Sequence, residues 1–195
     1  MSNLNQETFI GSWFFSDLTV CDELVKFFKT NQYLAKPGVT SHNLQEPDIT
    51  IKDSLDLTIT PDLFLNKEIK AYLEELGVVC QKYKEKYPDV NDVCGYWGIT
   101  EPFNIQYYKP GAGYKKYHTE RGSALPNVSR RHLVFMTYLN DVTDEGETEF
   151  KNQALKIKPE KGKTLIWPVD WTHTHRGIVS KTQEKYIVTG WYSFY

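Results

Sequence analysis

Apolar positions in the first half of the chain recur at helical spacing. Val20, Leu24, Val25, Phe27 and Phe28 share one face of a segment that Thr19 can cap. Residues 31–48 break this pattern with Pro37, Gly38, Asn43 and Pro47, and are expected to form a loop. Ile49 and Ile51, then Leu55, Leu57 and Ile59, alternate with polar residues, which predicts strand with a turn near Asp53-Ser54. Beyond Pro61, the residues Ile69, Tyr72, Leu73, Leu76, Val79, Cys80 and Tyr83 form one stripe of a longer helix that Pro88 ends. Such a stripe is expected to pack on a sheet.

From about residue 95 the period falls to two. In FNIQYYK, Phe103, Ile105 and Tyr107 fall on one face, and Asn104, Gln106 and Tyr108 on the other. A turn at Pro110–Gly113 follows, and YKKYHTE then aligns Tyr114, Lys116, His118 and Glu120. HLVFMTYL reads as a long buried strand closed by an acidic turn, and LKIK, KTLIWP and KYIVTGWYSFY complete the series. Helices first, then many short strands, predict a mostly β fold, a sandwich or barrel braced by helices.

Composition narrows this picture. A length of 195 residues fits one domain, with 1–95 as bracing region and 96–195 as sheet core. The 13 Tyr, 10 Phe and 5 Trp suit a β-rich fold or a site lined by flat side chains. With 23 basic against 25 acidic residues, no global field would hold a polyanion, so strong nucleic-acid binding is not expected. Cys21, Cys80 and Cys94 show no zinc spacing and read as reduced thiols, which points to the cytoplasm. No signal peptide is recognisable at the start, and no apolar run is long enough for a membrane span.

The candidate chemistry lies among the five histidines, His42, His118, His132, His173 and His175. In a strand, His118 and Glu120 project from one face and can occupy adjacent positions on one metal ion. A third ligand must come from elsewhere, and His173 or His175 sits near the end of a neighbouring strand. Two histidines and a carboxylate with positions left open is the arrangement of non-haem Fe(II) oxygenases.

Over residues 103–195 the chain resembles the prolyl 4-hydroxylase-type branch of the Fe(II)/2-oxoglutarate-dependent dioxygenases. The resemblance is carried by Tyr108, the Pro110–Gly113 turn, His118-Thr119-Glu120, GETEF from Gly146 to Phe150, His175-Arg176-Gly177, Lys185 ten residues past His175, and Trp191. It implies a double-stranded β-helix (jelly-roll) core with N-terminal helices packed on the larger sheet. It implies His118, Glu120 and His175 as Fe(2+) ligands, with Lys185 pairing the distal carboxylate of 2-oxoglutarate and Tyr108 donating to the same end. His175 is preferred over His173 by its glycine context and its offset to Lys185. Trp191, His173, Trp171 and Tyr114 are candidate pocket residues, and no side chain beyond the metal centre is assigned a catalytic part. Glu120 stands where the family usually has aspartate.

The implied reaction consumes O2 and 2-oxoglutarate, releases succinate and CO2, and hydroxylates a substrate, with ascorbate as a reductant of the iron. Lysine at the anchor resembles the prolyl-hydroxylase branch and favours a peptidyl proline. Another amino-acid side chain, a small metabolite, or a non-catalytic β-helix binding domain are the alternatives. Lys109, Lys115, Lys116, Arg121, Arg130 and Arg131 form a basic cluster, expected to be a solvated rim balanced by Asp141, Asp144, Glu145 and Glu147. The oligomeric state is not legible.

Overall fold

A computed structural model describes residues 7–40 and 46–195; His42 and Asn43 lie outside them. Strands β1 (Gly11–Phe14), β2 (Lys36–Pro37), β3 (Leu55–Ile59), β4 (Trp97–Gly98), β5 (Phe103–Tyr108), β6 (Arg131–Tyr138), β9 (Lys163–Pro168) and β11 (Lys185–Phe194) form an 8-stranded sheet. Its order is β1-β9-β6-β11-β5-β3-β2, with β4 added to β11, and its ladders are antiparallel. Strands β7 (Thr148–Phe150), β8 (Leu155–Ile157) and β10 (His175–Gly177) make a smaller antiparallel sheet ordered β10-β7-β8.

The period-two pattern of the central strands decides the layering. Leu133 and Phe135 of β6, with Tyr186, Val188 and Tyr192 of β11, face helices α1 (Thr19–Thr30) and α2 (Lys67–Lys86). Leu24, Phe28, Ile69, Tyr72 and Leu76 of the helices complete that core. Val134, Met136 and Tyr138 of β6 and Ile187 of β11 pack the opposite way, with Phe150 of the smaller sheet. Each such large apolar side chain stabilises the fold by roughly 1.5–3 kcal/mol. Gly190 falls on the helix-facing side, where a Cβ would stand 2.4 Å from the Phe135 ring and 2.5 Å from Phe103 Cβ. Glycine there lets the aromatic layer close over β11.

Three local expectations are corrected. Thr19 does not cap α1; Asp17 Oδ1 accepts from both Thr19 N (2.9 Å) and Thr19 Oγ1 (2.6 Å), because a carboxylate two residues earlier can take both donors. Ile49 and Ile51 lie in a turn, not a strand. Asp48 draws the chain around by accepting from Thr50 N at 2.9 Å on its side chain and from Ile51 N at 3.0 Å on its carbonyl. The segment 114–120 is not a regular strand. His118 exchanges both backbone bonds with His175 (2.9 and 3.0 Å), but Glu120 N turns to Val169 O at 3.2 Å. One bridge is enough to bring His118 beside β10.

Candidate metal centre and anion pocket

Between the sheets lies a cavity of about 710 Å3, lined from both halves of the chain. At one place three side chains converge, with ligand atoms of His118, Glu120 and His175 all within 4.8 Å of one another. Glu120 Oε1 is 3.3 Å from His118 Nε2 and 3.4 Å from His175 Nε2. The ring of His118 is stacked on Tyr114 at 3.6 Å between centroids and 6° between planes. That of His175 sits edge-on to Trp167 at 5.1 Å.

The remaining ring nitrogens fix the protonation pattern. His118 Nδ1 meets Lys116 O at 3.0 Å, and His175 Nδ1 meets His173 O at 2.9 Å. A carbonyl only accepts, so the hydrogen-bond network assigns a proton to each Nδ1 and leaves each Nε2 with a lone pair directed inward. Burial, and then the adjacent His175, push the pKa of His118 below the ordinary histidine value. Two lone pairs and an anionic oxygen thus face one point without a donor among them. A shared cation resolves that convergence, so the donor set fits a divalent metal, with backbone carbonyls orienting both imidazoles.

Deeper in the cavity, Lys185 is 5% exposed and its Nζ donates to Gly146 O at 2.8 Å. Among the described residues no carboxylate stands within ion-pairing distance, and burial pulls the ammonium pKa down to about 8. A buried cation without a counter-ion is costly, which makes this end of the cavity suited to a ligand carboxylate. Lys185 pairs with Tyr108 across the β11–β5 ladder, its Nζ 5.3 Å from the ring centroid. The Tyr108 hydroxyl donates to Gln106 Oε1 (2.8 Å), and Gln106 Nε2 donates to Asp56 Oδ2 (3.2 Å). Asp56 is also paired with Lys52 at 2.6 Å. Tyr108 therefore lines the pocket with its proton directed to Gln106.

Trp191 and Tyr114 also line the cavity, whereas His173 and Trp171 do not. His173 is buried, its Nε2 bonded to Thr8 O at 2.9 Å, and Trp171 is 73% exposed. Residues Trp171–His173 form a 3-10 turn, so the two-residue parity that would align His173 with His175 is lost. Trp167 is a core residue that also closes one cavity wall. In β7, Thr148 of the GETEF stretch faces the cavity, whereas Glu149 turns away to Arg176 Nε at 2.7 Å.

The basic cluster is balanced by other acids than expected. Arg131 is buried and bidentate to Glu101 (3.0 and 2.8 Å), Arg121 pairs with Asp170, and Lys109 with Asp53. Glu101, Lys52 and Asp56 carry no motif, and their roles were invisible in sequence. Gln106 shares the parity of Tyr108, a signal that could have found it.

A jelly-roll whose interior holds two imidazoles, a carboxylate and a buried unpaired lysine defines a class of single-metal oxygenases. Residues 103–193 match the family described as the 2OG-Fe(II) oxygenase superfamily. Among curated proteins, "Probable prolyl 4-hydroxylase 9" of Arabidopsis thaliana is 30% identical over 118 residues, 47% of this chain and 40% of the relative. "Prolyl 4-hydroxylase 13" of the same plant is 28% identical over 115 residues, 47% of this chain and 42% of the relative. The matched stretch thus spans less than half the length of these relatives.

A Pseudomonas putida prolyl-4-hydroxylase shares the fold, with TM-score 0.71, 18% identity, and coverage of 94% of this chain and 92% of its own. A prolyl hydroxylase from Trichoplax adhaerens, solved with a hypoxia inducible factor peptide fragment, also gives 0.71 at 18% identity, covering 95% and 84%. Over residues 103–193 the chain is similar to the 2OG-Fe(II) oxygenase superfamily, and it shares its fold with solved prolyl hydroxylases. Among the described residues no helix is long and apolar enough to cross a membrane.

Proposed function

We propose that this chain is an Fe(II)- and 2-oxoglutarate-dependent dioxygenase that hydroxylates a peptidyl proline. The observation that carries the proposal is the pairing, in one cavity, of an open donor set (His118, Glu120, His175) with an unpaired buried ammonium at Lys185. When bound, iron would supply the activation of O2 coupled to decarboxylation of 2-oxoglutarate. The chain's own part is to bind and to orient. His118 and His175 offer Nε2, Glu120 offers Oε1, and the backbone carbonyls of Lys116 and His173 hold the rings in place. Lys185 would take the far carboxylate of the co-substrate, and that charge-assisted contact fixes which end of the dicarboxylate faces the metal. Met136, Tyr138, Trp167 and Ile187 exclude water from the interior.

Proline as the reacting residue is supported by the names of both curated relatives and by the peptide carried by the Trichoplax neighbour. The reading treats 1–195 as one dioxygenase domain working in the cytoplasm, where free Cys21, Cys80 and Cys94 stay reduced and a reductant such as ascorbate keeps iron ferrous. The test is succinate formation from 2-oxoglutarate by the purified protein with Fe(II), across a panel of proline-containing peptides. Peptide-stimulated succinate, with one oxygen added to a proline by mass spectrometry, is the expected result. Oxygen found on another residue would reassign the substrate. Absence of succinate with every peptide, together with no binding of 2-oxoglutarate to metal-loaded protein, would overturn the proposal.

A further inference from the structure

We infer that Trp191 and Arg131 are positioning residues for Glu120, holding its Oε2 aside so that only Oε1 meets the metal position. The inference rests on the metal reading above and concerns the one place where the motif departs from aspartate. A glutamate has an extra methylene and an extra rotatable bond. Left alone, it could present either oxygen or both.

The structure shows what removes that freedom. Glu120 Oε1 stands at 3.3 and 3.4 Å from the two imidazole Nε2 atoms, while Oε2 accepts a hydrogen bond from Trp191 Nε1 at 3.0 Å. The Arg131 guanidinium lies 3.4 Å from the Trp191 ring centroid, and its Nη1 is 3.9 Å from Oε2 and 3.2 Å from Glu120 O. Arg131 is itself fixed by its two bonds to Glu101, whose Oε1 also accepts from Ser193 Oγ at 3.1 Å. The indole thus lies against a buried, doubly anchored cation, and its only donor points at one carboxylate oxygen.

Packing alone would need the Arg131–Trp191 stack but not the direction of that N–H. An indole turned over would fill the same volume and leave Oε2 unheld. The two carboxylate oxygens are divided by function, one towards the imidazoles and one towards a rigid plate. Replacing Trp191 by Phe keeps an aromatic ring for Arg131 and deletes only the donor.

The test titrates Co(II) into wild type, Trp191→Phe, Glu120→Asp and the double variant, reading affinity by calorimetry and coordination by visible absorption. Unfolding temperatures of the metal-free proteins serve as control. The expected result is a loss of Co(II) affinity of about 10-fold or more in Trp191→Phe, in the range for removing a partner behind a ligand, with altered d–d bands because Oε2 is released. In the Glu120→Asp background, where the shorter arm does not reach the indole, the same change should cost less than about 2-fold if the two sites are coupled only through that bond. Should Trp191→Phe not fold, Arg131→Lys, which loses the flat stack and the Nη1 contact, must alter the same bands. An unchanged affinity and spectrum, or an equal loss in both backgrounds, overturns the inference. Wild type that binds no Co(II) overturns the metal reading and the inference together, so the two failures are distinguishable.

Discussion

Replacing Lys185 by methionine should make the empty protein more stable while destroying its affinity for a dicarboxylate. The ammonium is 5% exposed, holds one hydrogen bond to Gly146 O at 2.8 Å, and has its pKa lowered by burial to about 8. That displacement from the ordinary lysine value corresponds to roughly 3 kcal/mol of native-state destabilisation at neutral pH. Methionine fills similar volume without a charge, and forfeits a hydrogen bond worth about 1 kcal/mol. The net expectation is a gain of about 2 kcal/mol, or about 4–8 °C in Tm for a chain of this size.

The pH dependence gives an independent check. Because the folded ammonium is disfavoured, the unfolded chain binds more protons between about pH 8 and the ordinary lysine value of 10.5. Wild-type stability therefore rises with pH across that window, and the variant should lack this rise. Removing one partner of a buried pair costs about 3–5 kcal/mol, so 2-oxoglutarate affinity of the metal-loaded variant should fall by about two to three and a half orders of magnitude. Denaturation curves at several pH values and calorimetric titration measure both arms. A variant no more stable than wild type, or one that binds 2-oxoglutarate as tightly, would refute the reasoning.

Three further outcomes are expected. His175→Ala should abolish divalent-metal binding in calorimetry, whereas His173→Ala should spare it and instead lower Tm by removing the bond to Thr8 O; the reverse pattern would reassign the third ligand. Lys52→Met leaves the Asp56 carboxylate uncompensated in the cavity wall, so it should weaken 2-oxoglutarate binding about 10-fold or more, and adding Asp56→Asn should restore most of that loss. No restoration in the double variant would show that Lys52 acts through local structure alone. Trp171→Ala should change Tm by less than about 2 °C and leave metal affinity intact, since the ring is 73% exposed.

The alternation in β5, β6, β9 and β11 was legible because strand parity alone sorts their side chains between helices and smaller sheet. The stripe Ile69–Tyr83 was legible for the matching reason at helical period, and its buried members in α2 are Ile69, Tyr72, Leu76, Val79, Cys80 and Tyr83. Ile49 and Ile51 misled, since a two-residue alternation cannot be told from a turn in which Asp48 collects the backbone donors.

The sequence by itself determined the two sheet faces, the helices packed on one of them and the candidate side chains for holding a metal and an anion. Periodicity and spacing are local properties, and a chain that must bury its apolar face has few ways to satisfy them. What only the tertiary structure decided are contacts between residues far apart in the chain. The Trp171–His173 turn separates His173 from His175, Arg131 leaves the rim to join Glu101, and Lys52 and Asp56 meet Gln106 in a wall shared with Tyr108. No spacing rule reaches across 30 or 50 residues, the separations of Arg131 from Glu101 and of Gln106 from Asp56, whereas burial does, because a charge removed from water must find its partner wherever the fold places one.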